Sequence, residues 1–268
     1  MRVLFIGDIF GKPGRMALYE YLTALKEDYS PDFTVANAEN IAGGFGITDN
    51  LCKKIFKYGV DVITTGNHVW DRPEADEFLQ RERLILRPIN FPEGTPGFSS
   101  AIVEKSGGPK LAVINAQGRI FMRAIDDPFR TVLAEVERLR EITPNILIDF
   151  HAEATSEKMA MAYFLDGKVS AVLGTHTHVQ TADERILEHG TAAITDAGMT
   201  GPHDSIIGVK SELALKFAMS GRNVRFSPAE GNVRIQGCIV DIEEATGKAQ
   251  SIERIDISVE TNLSSGEG

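Results

Sequence analysis

The 268-residue sequence predicts an α/β protein, built as a two-sheet β-sandwich flanked by helices. Short apolar, strand-like runs alternate with segments of helical periodicity, and strand-like runs occupy both ends of that alternation. Polar side chains of ligand type also recur just past several of these runs, where open α/β sheets bind ligands.

Residues 2–7 open the chain as a core strand, followed by Asp8. Met16, Leu18, Tyr19, Leu22 and Leu25 then recur at helical spacing over 15–28. A strand over 33–37 leads to Glu39 and Asn40, and Thr48 caps a second helix that ends near Tyr58 at Gly59. The next strand, 60–65, leads to Asn67 and His68, and Pro73 suits the first turn of a third helix. The Pro- and Gly-rich stretch 84–109 is expected to wrap the surface, with a short strand near 98–104. After a strand over 111–115, Asp127-Pro128 opens a fourth helix whose Phe129, Val132, Leu133, Val136 and Leu139 form a core face. Strands over 145–150 and 169–173 lead to His151 and to His176 and His178, and another covers 191–195. The segment GCIVDIEEATGKAQSIERIDI reads as two strands around a Thr246-Gly247 turn. A single domain over 1–258 is expected, with a poorly ordered tail over 259–268.

Hydrophobic residues at 43% and charged residues at 25% suit a soluble protein with a substantial core. The balance of 28 basic against 38 acidic residues, net −10, disfavours a broad nucleic-acid surface. A small phosphate substrate stays open, because bound cations can dominate a local field. No apolar run is long enough to span a membrane and no signal-type segment opens the chain, so no membrane partner and a cytoplasmic location are expected. Cys52 and Cys238 lie far apart, in neither redox nor zinc-ribbon spacing, and read as ordinary thiols.

Carboxylate, amide and imidazole are the groups that hold Zn, Mn and Fe. The sharpest local motifs are GNHVWD at 66–71 and GTHTH at 174–178. On an extended segment, His176 and His178 would share one face and bind two neighbouring metals or one; the plainer reading is a hydrogen-bonded surface pair. Other features read more coolly. In GDIFGK, Gly7 and Gly11-Lys12 are one residue too close for a phosphate loop, and Pro13 replaces the required Ser or Thr. AGGFG at 42–46 lacks dinucleotide-binding spacing and is expected to form a flexible rim. His189 and His203 read as surface or hydrogen-bonding residues, DAGMTGP at 196–202 as a candidate pocket wall, and Phe10 as an apolar plug or a surface for a base.

Taken together, these motifs resemble the calcineurin-like metallophosphoesterases. Gly-Asn67-His68 matches closely, and Gly-Thr-His176-Thr-His178 matches with one inserted Thr. Asp8-Ile9-Phe10 lacks the usual histidine, and Ala38-Glu39-Asn40 stands where a bridging aspartate is usual. Those departures resemble the YmdB-type branch, through GDIFG, NAEN and DAGMTGP, over nearly the whole chain. The resemblance implies the four-layer αββα fold and a dinuclear centre. Glu39 would bridge two ions; Asp8, Asn40 and His178 would complete one site, and Asn67, His151 and His176 the other. Iron is implied, with manganese or zinc as further candidates. The implied substrates are 2′,3′-cyclic nucleotides, with a role in RNA turnover or signalling, and the implied assembly is a homo-oligomer. In the expected mechanism a metal-activated hydroxide attacks phosphorus, while His68 gives its proton to the departing ribose oxygen. His68 could instead only orient Asn67. The alternatives are a phosphomonoesterase acting on proteins or nucleotides, and a non-catalytic regulator of the same fold. Substrate-binding residues are not legible at this level.

Overall fold

The apolar runs become two stacked sheets in the computed structural model, which describes residues 1–105 and 107–261. Strands β1 (Arg2–Ile6) and β2 (Asp8–Ile9) lead into α1 (Gly11–Tyr29), followed by β3 (Phe33–Asn37), α2 (Asp49–Tyr58), β4 (Val62–Thr64), α3 (Ala75–Leu79) and β5 (Ile85–Leu86). Next come β6 (Ser100–Glu104), β7 (Lys110–Gln117), α4 (Pro128–Arg140), β8 (Ile146–His151), α5 (Thr155–Phe164) and β9 (Ala171–Thr175). The chain continues through β10 (Arg185–Ile186), β11 (Ala192–Ile194), β12 (Met199–Pro202), α6 (Ser211–Ser220), β13 (Val233–Ile242) and β14 (Ala249–Ser258).

The first sheet runs β2-β12-β13-β1-β3-β4-β5, with β14 also on β13, and the second runs β10-β11-β9-β8-β7-β6. Between them lie Val3, Phe5, Val35 and Val62 from one face and Leu111, Val113, Leu147 and Leu173 from the other. On the outer face of the first sheet, Leu18, Leu22 and Ile55 pack over Leu4, Ile6 and Ile63. On the outer face of the second, Val132, Val136 and Met161 pack over Ile114, Ile148 and Phe150. The result is the expected helix–sheet–sheet–helix layering, with the central strands of both sheets covered on each face.

Local signals explain the elements that matched. The Thr48 hydroxyl accepts from the Leu51 N–H at 3.3 Å, and Gly59 closes α2 at φ 111. The Asp127 carboxylate accepts from the Phe129 and Arg130 N–H groups, with Pro128 in the first turn of α4. Helix α1 starts at Gly11 rather than 15, because Pro13 in a first turn forfeits no helical hydrogen bond. Pro73 lies outside α3: the Ala75 N–H donates to Arg72 O, so Pro73 and Glu74 form a turn before a one-turn helix. Within the stretch 84–109 the expected short strand is present as β6, antiparallel to β7, and the expected surface wrap also supplies β5 beside β4.

Helices α5 and α6 had no clear pattern to announce them. Helix α5 buries Glu157 and Lys158 beside Met161 and Ala162, which blurs its apolar stripe, and α6 buries nothing. At the end of β14, Val259 is buried and donates its N–H to Val233 O at 2.9 Å. The poorly ordered tail expected over 259–268 therefore does not begin at 259, and its remainder, 262–268, lies outside the described residues. Among the described residues no helix is long and apolar enough to cross a membrane, and both cysteines are free and buried.

Candidate metal centre

Strands β1, β3 and β4 are parallel in the first sheet, as are β7, β8 and β9 in the second. Their C-terminal ends converge on one edge of the sandwich, the place where such sheets present ligands. Asp8 pairs with Met199 in a two-strand extension of that edge. Glu39 follows β3 and donates its N–H to Asn37 Oδ1 at 3.1 Å. His68, in the turn after β4, donates its N–H to Glu39 Oε2 at 3.1 Å. Gly66 must be glycine here: a Cβ would lie 2.2 Å from His151 Cδ2 and 2.5 Å from Glu39 Oε2.

All the sequence-predicted positions come together. Glu39 Oε1 lies 3.0 Å from His151 Nε2 and accepts from Asn40 Nδ2 at 3.1 Å. Asn67 Oδ1 lies 3.1 Å from the same His151 nitrogen, and His176 Nδ1 lies 3.0 Å from it. His178 Nε2 is 3.2 Å from Asn40 Nδ2 and 3.8 Å from Asp8 Oδ1. Glu39, His151 and His176 offer ligand atoms all within 4.8 Å of one another. The one-face reading of His176 and His178 fails. Both lie beyond β9 with left-handed φ of 101° and 62°, so alternation along a strand does not apply. One ring turns to His151, the other to Asn40 and Asp8.

Partner chemistry assigns the imidazole tautomers. The Ile207 carbonyl can only accept, so His178 carries its proton on Nδ1, 2.9 Å away. Thr175 gives its single hydroxyl proton to Asp149 Oδ1 at 2.6 Å and therefore accepts from His151 Nδ1 at 2.9 Å. The Glu153 carboxylate lies 3.0 Å from His176 Nε2. The His178 and His151 rings thus spend their Nδ1–H on fixed acceptors and turn Nε2 inward, the arrangement suited to ligating histidines.

The inward atoms repel one another as they stand. Asp8 Oδ1 is buried with no hydrogen-bond partner, 3.8 Å from His178 Nε2 and 3.9 Å from His151 Nδ1, while Glu39 Oε1 and Asn67 Oδ1 both face His151 Nε2. Burial pushes the Asp8 carboxyl up, helped by Glu39 and Asp196 and opposed by His178 and His151. Burial pushes His151 down, but the charge and hydrogen bond of Glu39, with Asp8 and Asp149, raise it to about 9. The cluster therefore attracts positive charge, from a proton or a cation. Burial and the His151 charge push His176 down to about 3, which keeps its ring neutral and able to ligate. An oxygen and nitrogen donor set with no thiolate fits Fe, Mn or Zn.

Several supporting residues escaped the sequence reading. Asp149, fully buried in β8, accepts from the Thr64, Thr175 and Asn37 side chains and ties the two sheets together under the site. Asp196 accepts from Lys158 Nζ at 2.8 Å and from the Thr177 N–H and hydroxyl, bracing the His176–His178 turn. DAGMTGP is thus a buttress behind the site, not a wall of its cavity. Asp71, already visible in GNHVWD, lies with Oδ2 2.7 Å from His68 Nδ1. Phe10 is the apolar plug, buried under Gly44 and Gly208, its ring edge-on to His178 at 5.5 Å. Arg72 holds the AGGFG rim through the Ala42 and Phe45 carbonyls. His189 pairs with Asp166 at the surface, and His203 bonds the Met199 carbonyl. A cavity of about 320 Å³ opens onto Asn67, His68 and His176. A larger cleft of about 680 Å³, past Lys12 and Lys210, touches none of the predicted ligands.

The family model for YmdB-like proteins matches residues 4–255. The chain belongs to the YmdB-like family. It is 50% identical over 255 residues to a 2′,3′-cyclic-nucleotide 2′-phosphodiesterase of Bacillus subtilis (strain 168), covering 95% of this chain and 96% of that protein. It is 33% identical over 263 residues to a putative phosphatase/phosphodiesterase of Mycoplasma genitalium, with 96% and 93% covered. A crystal structure of a hypothetical protein from Thermus thermophilus matches with TM-score 0.90 and 41% identity, over 96% of this chain and 99% of that one. A novel phosphatase from Mycoplasma pneumoniae matches with TM-score 0.90 and 31% identity, over 96% and 93%. The YmdB-type resemblance and the layered fold expected from the sequence both stand.

Proposed function

We propose that this protein is a metal-dependent phosphodiesterase that hydrolyses 2′,3′-cyclic nucleotides. The reading is supported by 50% identity to the Bacillus enzyme and, above all, by the orphaned Asp8 Oδ1 beside the His178 and His151 rings. Asp8, Asn40 and His178 would hold one ion, and Asn67, His151 and His176 a second, with Glu39 between them. Iron is the proposed metal, with manganese or zinc as substitutes. When bound, a pair of such ions acidifies water and neutralises charge on the phosphoryl oxygens. Two ligand carboxylates against two divalent ions leave a net positive centre for the diester.

The chain's own residues do the rest. His68 reaches Glu39 through its backbone only, leaving its ring free to face the cavity. Asp71 takes the Nδ1–H of that ring at 2.7 Å, so Nε2 is the atom that delivers a proton to the departing ribose oxygen. The Phe45 ring, edge-on at 5.2 Å, limits the freedom of the His68 ring. A single domain over 1–258, assembled as a cytoplasmic homo-oligomer, completes the reading.

Elemental analysis of anaerobically purified protein should find about two metal ions per chain. Assays of the loaded protein should show preference for 2′,3′-cAMP over 3′,5′-cAMP and over phosphomonoesters. A preference for monoesters would favour the phosphatase reading, and metal-free protein of full activity would remove the centre.

A further inference from the structure

Gln117 is a fully buried amide that neither the fold nor the metal centre uses. It ends β7, abreast of His151 in the neighbouring strand. Its backbone is clamped on both sides by Asn90: the Gln117 N–H donates to Asn90 Oδ1 at 3.0 Å, and Asn90 Nδ2 donates to Gln117 O at 2.8 Å. Yet the side chain, at 0% exposure, has no hydrogen-bond partner at either Nε2 or Oε1. Buried amides are normally satisfied, and one left unmet on both atoms beside a cavity marks a place for a ligand.

That cavity is the 320 Å³ space that Asn67, His68 and His176 share with the proposed metal centre; Gln117, Phe91 and Phe121 also line it. Phe91 is buried edge-on against Trp70, 4.6 Å between ring centroids, and so forms a rigid apolar wall. Phe121 is 89% exposed and held at φ 61, a conformation that bulky residues rarely adopt. The start of its loop is fastened, since the Arg119 and Ile120 N–H groups both donate to the Glu157 carboxylate. An aromatic ring kept in water on an anchored loop, at the rim of a cavity, is placed to stack.

We infer that Gln117, Phe91 and Phe121 form the subsite for the nucleobase of the ester whose phosphate occupies the metal centre. The inference rests on the proposed activity for the phosphate half of the ligand. A base supplies what the site lacks: an edge with donor beside acceptor, which a glutamine amide pairs bidentately, and a flat face for the aromatic rings. A cavity of about 320 Å³ suits one nucleoside, and the chain's net −10 charge argues against a longer polyanion. Gln117 is therefore a specificity residue: it holds the base, and the base sets the ribose in front of His68.

The test compares 2′,3′-cAMP with methyl riboside 2′,3′-cyclic phosphate, which carries the same reacting ester and no base. Metal-loaded wild-type protein should prefer the nucleotide in kcat/KM by on the order of 10-fold to 100-fold, mostly through KM. Gln117→Met, near in volume, and Phe121→Ala should each shrink that ratio several-fold. Calorimetric titration with adenosine 3′-phosphate, which needs no turnover, should weaken in parallel. Equal turnover of both esters by wild type, or variants that slow both esters by the same factor, would overturn the subsite and leave the proposed activity intact. Gln117-dependent nucleotide binding without hydrolysis of either ester would uphold the subsite and overturn the activity instead.

Discussion

The two halves of the centre are built by different means. The first-sheet half, Asp8, Glu39, Asn40, Asn67 and His68, is set by backbone: tight turns after three strands, N–H groups donated to Glu39 and Asp8, and a glycine where no Cβ fits. The second-sheet half, His151, His176 and His178, is set by side chains. Asp149, Thr175, Glu153, Asp196 and the Ile207 carbonyl each fix a ring or the turn that carries it. The first half brings the acids, and the second brings imidazole nitrogens, with the outer protons of His151 and His178 already committed. Function needs both, because Glu39 reaches His151 only where the sheets stack.

The contrast makes graded predictions. His68→Ala, in the first half but outside the proposed ligand set, should lower kcat by roughly 10²–10⁴-fold with metal content nearly unchanged. Near-normal turnover would remove its role as acid. Lys158→Met leaves the buried Asp196 charge uncompensated behind the second half, and should cost about 3–5 kcal/mol in urea unfolding. A loss below about 1 kcal/mol would mean that the Thr177 and Gly198 donors suffice to hold that carboxylate. Thr175→Val removes the acceptor that fixes His151, and metal affinity should fall about 10-fold to 100-fold, read by competition with a chelator. Unchanged affinity would show that packing alone orients the ring.

The smallest effect belongs to a pair outside both halves. The Arg2 hydrogen bond, then Ser251 and the Arg2 charge against modest burial, hold the Asp241 carboxyl below its usual range. A carboxylate depressed on folding stabilises above its unfolded pKa, and that contribution disappears as pH falls through the folded value. Both partners are substantially exposed, so Arg2→Gln should cost at most about 1 kcal/mol at neutral pH. The difference between variant and wild type should vanish as pH falls below about 4. A gap that persists in acid would mean packing of the arginine stem, not charge.

Much of the first half was readable in advance, because turn chemistry and strand ends are local. Thr48 and Gly59 bounded α2, and DIF, NAEN and GNH placed each acid or amide within two or three residues of a strand. The second half was readable as ligand types at strand ends, but not in the residues that support them. Helix α5 hid its role by facing Lys158 inward, and Asp149 looked like one polar residue in an apolar strand. Gln117 ended an apolar run as the proposed ligands do, yet no motif singled it out.

Periodicity and residue chemistry were sufficient to determine the layers, the strand ends and the kinds of group gathered there, since both depend on neighbours a few positions apart. The division of His176 and His178 between two directions required the folded chain. Their left-handed backbone is sustained by Asp196 and Asp8, and the floor beneath them by an Asn37–Asp149 hydrogen bond spanning 112 residues. Contacts of that range leave no local pattern, because sequence neighbours carry no record of which distant strand will lie across the sandwich.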